Sequence, residues 1–134
     1  MIIFLRGLFV LVLVSMLAVT AWASSRCALF AVPPAVLGHP WFIATLADTY
    51  WAFLTFFVWT CYKRTALAAR LSWLIAILLL GNIAMASFCL RELCRVPADA
   101  PLAEVLAARY PGWDWLGTGL AAAGAAVVVA GLLR

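Results

Sequence analysis

Charge is what this sequence has least of. Nine Lys and Arg and five Asp and Glu make up 10% of its 134 positions, where a soluble domain carries about a quarter. Water is therefore not its main solvent. Histidine occurs once, as His39, and the four cysteines form neither a C-x-x-C pair nor a zinc spacing, so no metal site is expected. No glycine-rich nucleotide loop and no catalytic triad is legible, which argues against an enzyme and against a bound cofactor. The basic residues sit at the ends of apolar runs rather than in a stripe interleaved with aromatics, so nucleic acid is not an expected partner. Internal repeats are also missing.

Apolar residues are what remains, at 69% of the chain. A bilayer core asks for about 20 of them per helix, so the length suits an all-α integral membrane protein, one transmembrane domain over residues 1–134 with four transmembrane helices. The first span covers about residues 2–23, with Arg6 as its one charge. Its Ala21-Trp22-Ala23 ending also fits a cleavable signal peptide. Pro33, Pro34, Gly38 and Pro40 build the following loop. The second span, 41–62, is closed by Lys63 and Arg64, and the third, 71–90, by Arg91, Glu92 and Arg95. Residues 101–110 read as a short interfacial helix, because Pro101 suits a first turn, Glu104 favours that end of the helix dipole, and Leu102, Val105 and Leu106 share a side. The last span covers 113–133, with Asp114 at its mouth.

Tryptophan supports these ends. Trp22, Trp41, Trp59, Trp73, Trp113 and Trp115 fall near proposed helix ends, where an amphipathic ring sits at the headgroups. The short basic turn from Lys63 to Arg70 is the densest cationic segment, which places it, and with it both termini, in the cytoplasm. In a bacterium this would be the inner membrane.

One acid lies deep in an apolar helix, and an intramembrane carboxylate is a functional-site candidate by default. This is Asp48, in the second span. Thr45, Asp48, Ala52, Thr55, Trp59 and Tyr62 follow at helical spacing as a small and polar seam, while Phe42, Leu46, Phe53 and Phe57 take faces suited to lipid. Asn82 in the third span is expected at similar depth, so an Asp48–Asn82 contact across a helix pair is expected. It reads as helix-pairing glue or as a proton, ion or ligand site. In the last span Gly117, Ala121 and Ala125 have the small-residue spacing that lets helices approach closely.

With four spans, Cys27, Cys89 and Cys94 fall on one side of the membrane and Cys61 on the other. A disulfide joining Cys27 to Cys94 or Cys89 is then the candidate pairing if that side is oxidising. Thiol redox catalysis is a remote reading, since no close redox pair is present.

The strings His39-Pro40-Trp41-Phe42-Ile43-Ala44-Thr45-Leu46-Ala47-Asp48-Thr49-Tyr50, Phe53-Leu54-Thr55-Phe56-Phe57-Val58-Trp59 with Tyr62-Lys63, and Leu80-Gly81-Asn82-Ile83-Ala84-Met85 resemble a family of small membrane proteins catalogued as domain of unknown function 1475. The likeness runs from about Arg6 to Leu93 and includes Met16 and Trp22-Ala23-Ser24, which favours a retained first helix. It implies an integral membrane protein and carries no activity or catalytic residues. His39, Pro40, Trp41, Thr45, Asp48, Tyr50, Gly81 and Asn82 match it.

The function expected from these features is that of a non-enzymatic accessory or interaction protein. Its partners would be the lipid bilayer and other membrane proteins or a second copy of itself. The alternative is a small transporter or lipophilic-ligand binder using Asp48 and Asn82.

Overall fold

A computed structural model describes residues 1–133. They form seven helices: α1 (Ile2–Arg26), α2 (Pro34–Leu37), α3 (Pro40–Lys63), α4 (Leu67–Leu80), α5 (Asn82–Cys94), α6 (Leu102–Ala107) and α7 (Trp115–Leu132). Three of them, α1, α3 and α7, are long and apolar enough to cross a membrane. They answer to the first, second and last expected spans.

The expected third span does not form. The apolar run is broken at Gly81, whose φ of 54° and ψ of −125° belong to backbone open essentially to glycine. There α4 stops and α5 starts in the opposite direction, so that Trp73 of α4 and Phe88 of α5 meet edge to face at 4.9 Å. The result is a helical hairpin. Its arms have 14 and 13 residues, about 21 and 20 Å at 1.5 Å per residue, short of a bilayer core of about 30 Å.

How far the hairpin reaches is fixed by its neighbours. A Cβ on Gly81 would lie 2.7 Å from Phe53 of α3, and one on Gly124 of α7 would lie 2.8 Å from Leu79. Phe53 and Gly124 both stand near the middle of their helices, so the tip ends about halfway along α3 and α7. Gly117, Ala121 and Gly124 are the buried residues of α7, with Gly117 tight against the Trp73 ring. The small-residue seam of α7 thus serves internal packing on α4, and its third member is Gly124.

Packing inverts the expected faces of α3. Phe53, Phe56 and Phe57 pack against the hairpin core of Trp73, Ala76, Ile77, Ala84 and Phe88, because aromatic rings fill the wedge between the hairpin arms and α3. Trp73 is fully buried and is a core residue, not an interfacial anchor.

On the other side, α1 lies along α5, with Ile2, Leu93 and Val105 forming a second core. Arg6 Nη2 donates to the carbonyls of Leu93 at 2.9 Å and Val96 at 2.7 Å, a cation placed at a helix C-terminus where the dipole favours it. The start of α1 is therefore level with the end of α5. Gly131 of α7 approaches Leu29 and Phe30, just beyond the far end of α1. The start of α1 and the end of α7 lie at opposite ends of the molecule.

Candidate functional site

At the open end of the hairpin six charged side chains converge from the ends of α3, α5 and α7. The end of α3 supplies Lys63 and Arg64, α5 supplies Arg91 and Glu92, Arg95 follows α5, and Asp114 caps α7. Lys63 and Glu92 are fully buried, and Arg64 and Asp114 nearly so.

Glu92 is the hub. Its Oε2 lies 2.8 Å from Lys63 Nζ, and its Oε1 lies 2.5 Å from Arg64 Nη2 and 3.2 Å from Arg95 Nη1. A carboxylate near a helix C-terminus is disfavoured by the dipole, so these cations are what hold it there. Asp114 is the second hub. It accepts from Trp73 Nε1 at 2.9 Å, from Arg91 and from the Gly117 amide, and lies 3.1 Å from Arg64 Nε. Burial pushes its carboxyl up, but the Trp73 and Arg91 hydrogen bonds, the Arg64 charge and the Gly117 amide together hold it below the usual carboxylate range.

Aromatic faces cover the cations. The Tyr110 ring lies 3.8 Å from the Arg95 guanidinium and 5.2 to 5.3 Å from Lys63 and Arg64, within cation–π range. Tyr110 is brought there by its own amide, which donates to the Lys63 carbonyl at 2.8 Å. That pairing also explains why α6 stops at Ala107 rather than continuing to residue 110: Ala108 turns extended, with ψ 130°. Both carboxylates are paired with cations, so the cluster acts as a clamp that locks α3, α5, the α6 segment and α7 together.

The residues singled out from sequence are not gathered at one site. Asp48 is exposed on α3 and Asn82 is exposed at the hairpin tip, and among the described residues no side-chain hydrogen bond joins either of them to another residue. The Asp48–Asn82 contact is not formed, because the third segment turns back at mid-depth instead of running alongside α3. Thr45 and Thr55 are exposed as well, and their hydroxyls donate to the carbonyls of Trp41 and Trp51 in their own helix. The seam faces outward from Thr45 to Thr55, whereas its Trp59 packs against the hairpin core.

Cysteine is corrected by the same turn. Cys27 follows the far end of α1, whereas Cys94 ends α5 beside the start of α1, and α1 has 25 residues, about 37 Å. A disulfide needs Cα atoms within about 7 Å. All four cysteines are free, Cys89 buried and Cys94 exposed. Among the described residues no group of His, Cys, Asp or Glu has a metal-holding arrangement.

The ion cluster itself was missed from sequence. Arg91, Glu92 and Arg95 were read as leaving the membrane on the side opposite Lys63 and Arg64, and only the Gly81-Asn82 step inside the apolar run signals otherwise. No family model, no curated protein and no solved structure matches this chain.

Proposed function

We propose that this is a non-enzymatic integral membrane protein that works through helix contacts within the bilayer, as an accessory subunit or a small oligomer. The contact surface is the outer face of α3, centred on Asp48. One observation carries this reading: Asp48 stands exposed on an apolar helix none of whose most apolar 18-residue window is buried, and no described residue of its own chain bonds its side chain. An Asp at the centre of a membrane helix costs about 2.5 to 3.5 kcal/mol, and Asp48, a few residues short of the centre of α3, carries up to that cost, which a polar side chain from a second helix offsets. Thr45, Ala52 and Thr55 leave that face small and polar enough for close approach. A transporter or ligand site would need Asp48 and Asn82 to converge, and their separate exposed positions favour the contact reading. Thiol redox chemistry gains no support from four dispersed free thiols.

The membrane placement belongs to the same proposal. In it α1, α3 and α7 cross the bilayer and α4–α5 enters as a re-entrant hairpin. Arg6, Lys63, Arg64, Arg70, Arg91, Arg95 and Arg109 gather at the hairpin's open end, and among the described residues Arg26 alone among Lys and Arg lies at the other. A bias this large assigns the open end to the cytoplasm. The start of α1 is then cytoplasmic and the end of α7 is on the opposite side, in place of two cytoplasmic termini.

A photo-reactive amino acid at Ala52, introduced into the full chain in its native membrane, tests the contact. Wild type and Asp48→Asn should give a discrete adduct with another membrane chain or a second copy. Asp48→Leu should weaken it, by about 1 to 2 kcal/mol for one intramembrane polar contact. Adducts with lipid alone in all three would end the proposal.

A further inference from the structure

Between α1, α3, α5 and α6, on the side of the bundle away from α7, lies a cavity of about 250 Å³ lined by Leu5, Phe9, Trp59, Cys89, Leu93 and Leu106 among others. Its exposed wall is wholly apolar. The volume is below the 300 to 1,000 Å³ of ordinary small-molecule pockets, which suits a stretch of hydrocarbon chain rather than a compact ligand with polar groups to satisfy. The site is also built. α6 roofs it, held by Lys63 Nζ donating to the Val105 carbonyl at 2.5 Å and by Trp59 Nε1 donating to the Leu106 carbonyl at 3.4 Å.

Arg6 and Arg109 are the cations next in the chain to the lining residues Leu5 and Leu106. Arg6 uses Nη2 on the carbonyls of Leu93 and Val96, and its buried Nε has no partner. On the α3 side Arg109 donates from Nε to the Tyr62 carbonyl at 2.9 Å and stacks on the Tyr62 ring at 4.9 Å. Its remaining donors are free at an exposed position. The acids at this end outside the ion cluster are the exposed Asp99 and Glu104, fewer than the cations, so the end carries excess positive charge.

We infer that this groove seats one acyl chain of an anionic phospholipid from the leaflet at the charged end, with the phosphate between Arg6 and Arg109. A zwitterionic lipid offers the same chain but no net charge to meet the two guanidiniums. Anionic headgroups are drawn to basic groups at a membrane surface, and Arg meets phosphate with paired hydrogen bonds. The groove meets α3 at Trp59, eleven residues and about 16 Å beyond Asp48 on the same side of the helix, so the lipid site and the Asp48 contact lie at different levels of the bundle.

The test uses the full chain in mild detergent with 1-palmitoyl-2-oleoyl-phosphatidylglycerol and the matching phosphatidylcholine, followed by native mass spectrometry. One phosphatidylglycerol should be retained per chain in preference to phosphatidylcholine, and Arg109→Gln should lower that retention roughly fivefold. Arg6→Gln should act in the same direction, but it also frees the α5 carbonyls, so Arg109→Gln carries the argument. A phosphatidylglycerol with a diazirine on its acyl chain should label peptides containing Leu5, Phe9 and Leu106. Equal retention of both lipids, indifference to Arg109→Gln, or label spread over α1, α3 and α7 in proportion to their exposure would each overturn the site.

Discussion

Replacing Glu92 by Gln keeps the shape of the side chain and removes the charge on which three cations converge. Lys63 is fully buried and Arg64 is 2% exposed, so neither can recover its lost partner from water. The buried cluster then passes from four cations against two carboxylates to four against one. Breaking a buried ion pair by removing one partner costs about 3 to 5 kcal/mol, because the remaining charge is uncompensated. Glu92→Gln retains an acceptor for one of the three donors, which places it at the lower part of that range. Glu92→Ala, which retains none, belongs at the upper part. The pair is not itself a large source of stability, since desolvating both charges offsets most of their attraction. Accordingly the double variant Lys63→Met with Glu92→Met should recover only the share of the loss that comes from Lys63, since Arg64 and Arg95 still lack Glu92. Unfolding in mixed detergent and SDS micelles measures these differences, with tryptophan fluorescence as the probe because Trp73 donates directly to Asp114. A Glu92→Gln protein within about 1 kcal/mol of wild type would refute the reasoning, since only a solvated cluster tolerates that loss.

Two further outcomes follow from the hairpin. Periplasmic reporters fused after Arg64 and after Pro97 should both be inactive and one fused after Gly38 active, whereas activity at Pro97 with silence at Arg64 would restore a continuous third span. Mass spectrometry of non-reduced, alkylated protein should find four modified thiols, and a Cys27–Cys94 bridge within one chain would contradict ends separated by the length of α1.

What the sequence discloses is what local physics decides. The long runs of α1, α3 and α7 are legible because a span of apolar residues with charges at its ends has few other solutions. Most of α6 is legible because Pro101 and the Leu102, Val105 and Leu106 pattern are local too. Asp48 stands out in the sequence because a carboxylate is costly in hydrocarbon, and the structure leaves it exposed rather than paired with Asn82. The faces of α3 are not legible from a polar seam alone, because Phe53, Phe56 and Phe57 fill the space against the hairpin. Trp73 was grouped with the interfacial tryptophans by its place in the run, although its indole serves Asp114, 41 residues away. Each of these differences follows from one residue.

Gly81 decides between a continuous helix and a hairpin, and a single methyl group distinguishes them by the sign of its effect. In a continuous span from 71 to 90, Gly81 would be a mid-helix glycine, and Gly81→Ala would stabilise by about 0.8 to 1 kcal/mol through helix propensity. In the hairpin the residue has φ 54° and ψ −125°, where a Cβ brings about 1 to 3 kcal/mol of backbone strain. The new methyl would also lie 2.7 Å from Phe53 Cζ, and overpacking of that kind adds about 1 to 3 kcal/mol. Gly81→Ala should therefore destabilise, by about 2 kcal/mol or more. The two contributions are separable, since shortening Phe53 to Leu in the Gly81→Ala background relieves the clash and leaves the backbone strain. Partial rescue is the expected result in the same unfolding assay. A Gly81→Ala protein more stable than wild type would mean that the chain runs straight through this point, and the ion cluster, the free thiols and the placement of Arg91 to Arg95 beside Lys63 would all fail with it.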